Sequence, residues 1–88
     1  METFKSAKTR LLKELQKSGW KVKEDLTYPW AKARVAGEDV QIWFKTQSIY
    51  MGGGLSPTMK MARSICSDYR GLSATKLEQL VVYYNRLH

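Results

Sequence analysis

Hydrophobic and polar residues alternate through two adjacent stretches of the chain, residues 30–35 and 40–45. The apolar positions are Ala31, Ala33, Val35, Val40, Ile42 and Phe44. A period of two on both sides of a corner that contains glycine predicts an antiparallel hairpin with one buried face. If Gly37-Glu38 is the two-residue loop, the strand register places Val35 opposite Val40.

The other face of the predicted hairpin interleaves cations with aromatic rings. Its members are Trp30, Lys32, Arg34, Gln41, Trp43 and Lys45. An indole beside a cation can stack on a nucleobase while the cation contacts a phosphate. This face is therefore the predicted binding surface, on which Trp43 is either exposed or covered by one of the end helices. Trp20 is expected in the core.

A helical repeat of apolar residues predicts a first helix from about Thr3 to Ser18, ended by Gly19. The opposite side of this helix carries a basic stripe of Arg10, Lys13 and Lys17. Such a stripe is either a solvated surface or an auxiliary phosphate contact.

Two short strands are predicted on either side of the hairpin, at residues 20–24 and 48–51. The Gly52-Gly53-Gly54 run that follows is interpreted as a flexible connector. Ser56 followed by Pro57 then predicts the start of a second helix that ends near residue 70. Lys60 and Arg63 lie on the polar side of this predicted helix and could add phosphate contacts.

Ser73 is the predicted cap of a last helix that runs to about Leu87, with Val82 and Tyr83 pointing away from its apolar stripe. The element order is helix, two or three strands, helix, helix (α-β-β-β-α-α). Strands grouped between helices predict an α+β fold with a small antiparallel sheet. A chain of this length is expected to form a single small basic domain over residues 1–88.

The net charge is +7, from 15 Lys and Arg against 8 Asp and Glu. This excess favours nucleic acid or an acidic protein surface as partner, although some basic proteins bind neither. The single cysteine excludes an internal disulfide and indicates a cytoplasmic, nucleoid-associated or nuclear location. No apolar run is long enough to span a membrane.

Catalysis has little support in the sequence. The one histidine, His88, is the last residue, so no Ser-His or Cys-His pair is expected inside the fold. Cys66 falls on the apolar stripe of the predicted second helix, where a thiol acts as a small hydrophobe. We expect no enzyme activity, no metal and no cofactor.

Two functions are consistent with these patterns. The first is a non-catalytic nucleic-acid-binding protein that uses the basic and aromatic hairpin face, with auxiliary basic residues on the helices. The alternative is a protein-binding inhibitor or adaptor, of the kind that phages and mobile elements encode, that acts on an acidic surface of a nucleic-acid-handling host complex. Its anchors would be Trp43, Val82 and Tyr83.

Overall fold

The structure is a computed structural model that describes residues 2–24, 28–35, 37–53 and 63–86. Within these described residues, two helices and five strands follow in chain order: α1 (Phe4–Lys17), β1 (Lys21–Lys23), β2 (Trp30–Val35), β3 (Glu38–Phe44), β4 (Ile49–Gly53), β5 (Arg63–Cys66) and α2 (Ala74–Asn85). The strands form one antiparallel sheet in the order β1-β2-β3-β4-β5. The predicted α+β class and N-terminal helix are confirmed, but the predicted strand and helix counts differ from those observed.

Both helices begin where short polar side chains can cap them. The Thr3 hydroxyl accepts a hydrogen bond from the Ser6 amide (3.1 Å), and the Ser73 hydroxyl accepts one from the Lys76 amide (3.1 Å). Each cap satisfies an amide that has no partner within its own helix. Gly19 follows α1 with φ of +99°, the left-handed conformation that glycine tolerates best.

The β2–β3 hairpin forms as predicted, but with a different register. Val35 pairs with Glu38 and Ala33 with Val40, so Glu38 belongs to strand β3 and not to the loop. The predicted two-residue loop at Gly37-Glu38 is therefore wrong by one residue. As a result, the predicted partner of each β2 residue is wrong by two residues. A shift of two preserves the alternation of faces, because side chains repeat every second residue.

The predicted second helix is wrong for residues 63–66, which form strand β5 and pair with β4. Its predicted start at Ser56-Pro57, and Lys60, lie outside the described residues. Ile49 pairs with Cys66 and Tyr50 with Ser64, which leaves Ile65 as an extra residue in the ladder. Ile65 is buried in the core.

Cys66 therefore lies on a strand and not on a helical stripe. Its thiol is partly buried and donates to the carbonyl of Asp68 at 3.2 Å. Burial raises the pKa of this thiol. The raised pKa disfavours the thiolate, which is the nucleophilic form.

One continuous core lies between the helices and one face of the sheet. Helix α1 contributes Leu11 and Leu15, and α2 contributes Leu77 and Val81. The sheet contributes alternate residues of its strands, among them Ala31, Val40, Ile42, Phe44 and Met51. Trp20 joins the same core, as predicted. No helix among the described residues has the length and apolar character needed to cross a membrane.

Tyr69 is fully buried and joins three parts of the fold. Its ring meets Phe4 of α1 and Phe44 of β3 edge to face, with centroids 5.3 and 5.6 Å away. Its hydroxyl lies 2.9 Å from the carbonyl oxygen of Lys45 and 3.0 Å from that of Thr46, and donates to this pair. Tyr69 therefore connects α1 and the segment after β5 to β3 and to the loop that follows it.

Glu2 connects the start of the chain to the loop before α2. Its carboxylate accepts hydrogen bonds from Arg10 Nε (2.7 Å), Arg10 Nη2 (3.0 Å) and the Gly71 amide (2.8 Å). These hydrogen bonds, first those from Arg10 and then that from Gly71, lower the pKa of Glu2 from 4.5 to about 2.

We expect this contact to make stability depend on pH. Because the folded state lowers the pKa of Glu2, its contribution to stability is present above about pH 4.5 and is lost as pH falls toward 2. Glu2→Gln should therefore lower the urea midpoint at neutral pH and have little effect near pH 2. Glu38→Gln, on an exposed residue, is the control. An equal effect of Glu2→Gln at both pH values would contradict this assignment.

Candidate nucleic-acid interface

The sheet face that points away from α1 and α2 is called the outer face below. Two rows of residues cross it from strand to strand. The first row is Lys23, Trp30, Trp43, Tyr50 and Ser64. The second row is Lys21, Lys32, Gln41 and Gly52. Neighbours in a row are about 5 Å apart, so the three aromatic rings of the first row lie side by side, and Lys23 and Lys32 lie close to Trp30.

Two lysines of the outer face lie over aromatic rings. Lys32 Nζ is 4.8 Å from the ring centroid of Trp30. Lys45 Nζ is 4.6 Å from the centroid of Tyr50 and 5.5 Å from that of Tyr28. At exposed sites each such contact is worth about 0.5–1 kcal/mol, less than the roughly 1–3 kcal/mol of a base stacked on the same kind of ring.

The lysines of the outer face have no carboxylate partner among the described residues. The four lysines of the outer face are Lys21, Lys23, Lys32 and Lys45. Arg34, also predicted as a site residue, differs because its Nη1 lies 3.3 Å from Asp39 Oδ1. The four lysines therefore carry the uncompensated charge of this face, and Arg34 contributes less.

Trp43 is 7% exposed, so the interpretation that left it open to solvent is wrong. Neither described helix covers it, because both pack on the opposite face of the sheet. In its row Trp43 lies between Trp30 and Tyr50, on the central strand. Its indole cannot stack on a ligand in this conformation, whereas Trp30 is only partly buried and keeps exposed area.

Among the predicted auxiliary cations that the structure describes, Arg10, Lys13, Lys17 and Arg63 do not join the outer face. Arg10 is engaged by Glu2 at 2.7 Å and by Glu14 at 3.6 Å, so its charge is compensated within the helix region. Lys13 and Lys17 are exposed on the side of α1 opposite its buried stripe, which points away from the sheet. Arg63 is exposed on edge strand β5.

Two lysines and two tyrosines of the outer face were missing from the predicted site: Lys21, Lys23, Tyr28 and Tyr50. Their signal was present in the sequence, since Lys21 and Lys23 alternate with Val22, and Tyr50 alternates with Met51. Extending the alternation of the hairpin to its neighbouring strands would have found three of them. Tyr28 lies next to the hairpin because the Phe44 amide donates to the Pro29 carbonyl (2.9 Å), which continues the β2–β3 ladder.

The residues named for protein binding do not form one surface. Tyr83 is 58% exposed and Val82 partly so, both on α2. Trp43 belongs to the outer face, on the other side of the sheet from α2. Tyr83 and Val82 therefore remain as a separate patch on α2.

Comparisons with protein-family models, with curated proteins and with solved structures found no match. Within the part of the chain that the structure describes, no cluster of three or more His, Cys, Asp or Glu side chains could hold a metal ion. The outer face, with its lysines and rings, is the surface on which a functional inference can rest.

Proposed function

We propose that this chain is a non-catalytic nucleic-acid-binding protein and that the outer face is its interface. One observation supports this above the others. Four lysines without a carboxylate partner among the described residues share one sheet face, and two of them lie over aromatic rings. Such a surface attracts a polyanion and offers flat apolar rings beside two of the charges.

Binding would occur through neutralisation of phosphates. Because each lysine contact releases condensed counterions, log K falls by about 0.7–0.9 for each phosphate contacted when the salt concentration rises tenfold. If Lys21, Lys23, Lys32 and Lys45 each contact one phosphate, the log-log slope is about −2.8 to −3.6. The chain's net charge of +7 adds long-range attraction, which speeds encounter.

The test is fluorescence anisotropy with labelled single-stranded and duplex DNA and RNA, titrated with salt from about 50 to about 200 mM. We expect at least one of the four nucleic acids to bind with a slope in the range given above. A slope near zero, or no binding at the lowest salt, would refute the proposal.

A second candidate is a protein-binding inhibitor or adaptor, favoured by Tyr83. A tyrosine that is 58% exposed beside Val82 has the amphipathic character of an interface anchor. In this case a stoichiometric protein partner should survive nuclease treatment in a pull-down and be lost with Tyr83→Ala. Retention only in the presence of nucleic acid would favour the first proposal.

A further inference from the structure

We infer that the outer face binds single-stranded nucleic acid, by stacking bases on Tyr28, Trp30 and Tyr50. This inference rests on the proposed function and names the form of nucleic acid that the same site takes. Tyr28 is 40% exposed, and Trp30 and Tyr50 are partly buried, so all three rings keep exposed area. In a duplex each base face is covered by its neighbours, whereas an unpaired base can turn its face to a ring.

The position of the helices also argues against duplex readout from this face. A duplex is usually read by a helix or a β-ribbon inserted into the major groove. Both described helices, α1 and α2, lie on the opposite side of the sheet. They cannot enter a groove of a duplex that lies on the outer face, so the described helices do not read a duplex there.

The lysines above the rings are placed to exchange the ring for a phosphate when a single strand of nucleic acid binds. In the free protein Lys32 covers Trp30, and Lys45 lies between Tyr50 and Tyr28. A base that stacks on Trp30 displaces the ammonium group of Lys32, which then contacts the phosphate of the same strand. The exchange is favourable because a stacked base outweighs an exposed cation–π contact, and the ammonium group keeps an anionic partner.

The spacing of the rings sets the shape of the bound strand. Trp30 on β2 and Tyr50 on β4 are separated by Trp43 on β3, two strand spacings or about 10 Å. This is about three times the 3.4 Å rise per nucleotide in one strand of DNA. Bases bound by these two rings are therefore splayed apart, with Lys32 and Lys45 beside them as phosphate contacts.

The test compares a labelled oligothymidylate with its duplex, using wild-type protein and the variants Trp30→Leu, Tyr50→Leu and Tyr28→Leu. We expect the single strand to bind at least about 10-fold more tightly than the duplex. Each ring variant should weaken single-strand binding by about 5- to 150-fold while leaving the salt slope unchanged. Tyr83→Leu on α2 is the matched control and should bind as the wild type does.

Two outcomes would overturn the inference in different ways. Equal affinity for both forms, with ring variants that bind normally and a Lys32→Ala/Lys45→Ala variant that does not, would refute stacking and leave the proposed function standing. Absence of binding to either form would refute both.

A ring variant that fails to fold would also lose binding, so a second measurement uses the wild-type protein. Ultraviolet cross-linking to a bromouridine-containing single strand, followed by peptide mass spectrometry, should place adducts on Tyr28, Trp30 or Tyr50. Adducts confined to α1 or α2 would refute the inference.

Discussion

Replacing Tyr69 by alanine is expected to lower the free energy of unfolding by about 3–5 kcal/mol, the usual cost of removing a buried aromatic ring. Tyr69 is fully buried, and its ring packs against both Phe4 and Phe44. The change would leave a cavity at the junction of α1, β3 and the segment before α2. Whole domains are stable by about 5–15 kcal/mol, so this loss would remove a large part of the free energy of unfolding.

Urea denaturation followed by circular dichroism measures this effect. Tyr83→Ala is the matched control because the Tyr83 side chain on α2 is 58% exposed, and it should change stability by less than about 0.5 kcal/mol. Tyr69→Phe keeps the ring and removes only the hydroxyl that donates to Lys45 and Thr46, so it should cost about 1–3 kcal/mol. If Tyr69→Ala and Tyr83→Ala were equally stable, Tyr69 would not stabilise the junction of α1, β3 and the segment before α2.

The double replacement Lys32→Glu/Lys45→Glu is expected to weaken nucleic-acid binding by more than about 25-fold at 0.1 M salt. Between 1 M and 0.1 M salt, each phosphate contact contributes roughly a factor of 5 to 8, so the loss of two contacts alone gives about 25-fold. Reversal of the charge adds repulsion. It also removes the cations over Trp30, Tyr28 and Tyr50.

A variant with the same charge change elsewhere separates a local contact from the effect of net charge. Lys5→Glu/Lys13→Glu also reduces the net charge from +7 to +3, since each replacement removes two units. Both residues are exposed on α1, away from the outer face. We expect this control variant to lose only a little affinity for nucleic acid. Equal losses of affinity in the two double variants would show that binding does not use the outer face.

The sequence predicted the elements whose pattern repeats over many residues or whose ends are capped. Helix α1 has four turns of regular apolar spacing, and α2 begins at Ser73, so both were placed correctly. The register of the hairpin was not predictable in the same way. A shift of two residues leaves every side chain on its original face, so the alternation fits both registers equally.

Strand β5 shows the limit of a short pattern. Ile65 and Tyr69 are four residues apart, which matches one face of a helix, and four residues of strand are too few to contradict that interpretation. Pairing with β4 and burial of Ile65 decide the structure there, and both depend on contacts distant in sequence. The hydrophobic pattern of residues 63–66 alone therefore could not predict a strand there.

The candidate site was predicted in part. Alternation assigned Trp30, Lys32, Trp43 and Lys45 to the same face, and the structure agrees. It could not show that Trp43 would be buried, because alternation reports which side of a sheet a residue faces and not how closely its neighbours surround it. Nor could helical spacing show that Arg10 would be engaged by Glu2, eight residues earlier in the chain.

The arrangement of the strands has a kinetic consequence. Each strand pairs with the one before it in the chain, so the sheet can assemble from successive hairpins that require only modest loop closures. The contact of Phe4 with Tyr69 instead joins residues that are 65 positions apart in the chain. We therefore expect early hairpin formation, with docking of the first helix as the late step that sets the refolding rate.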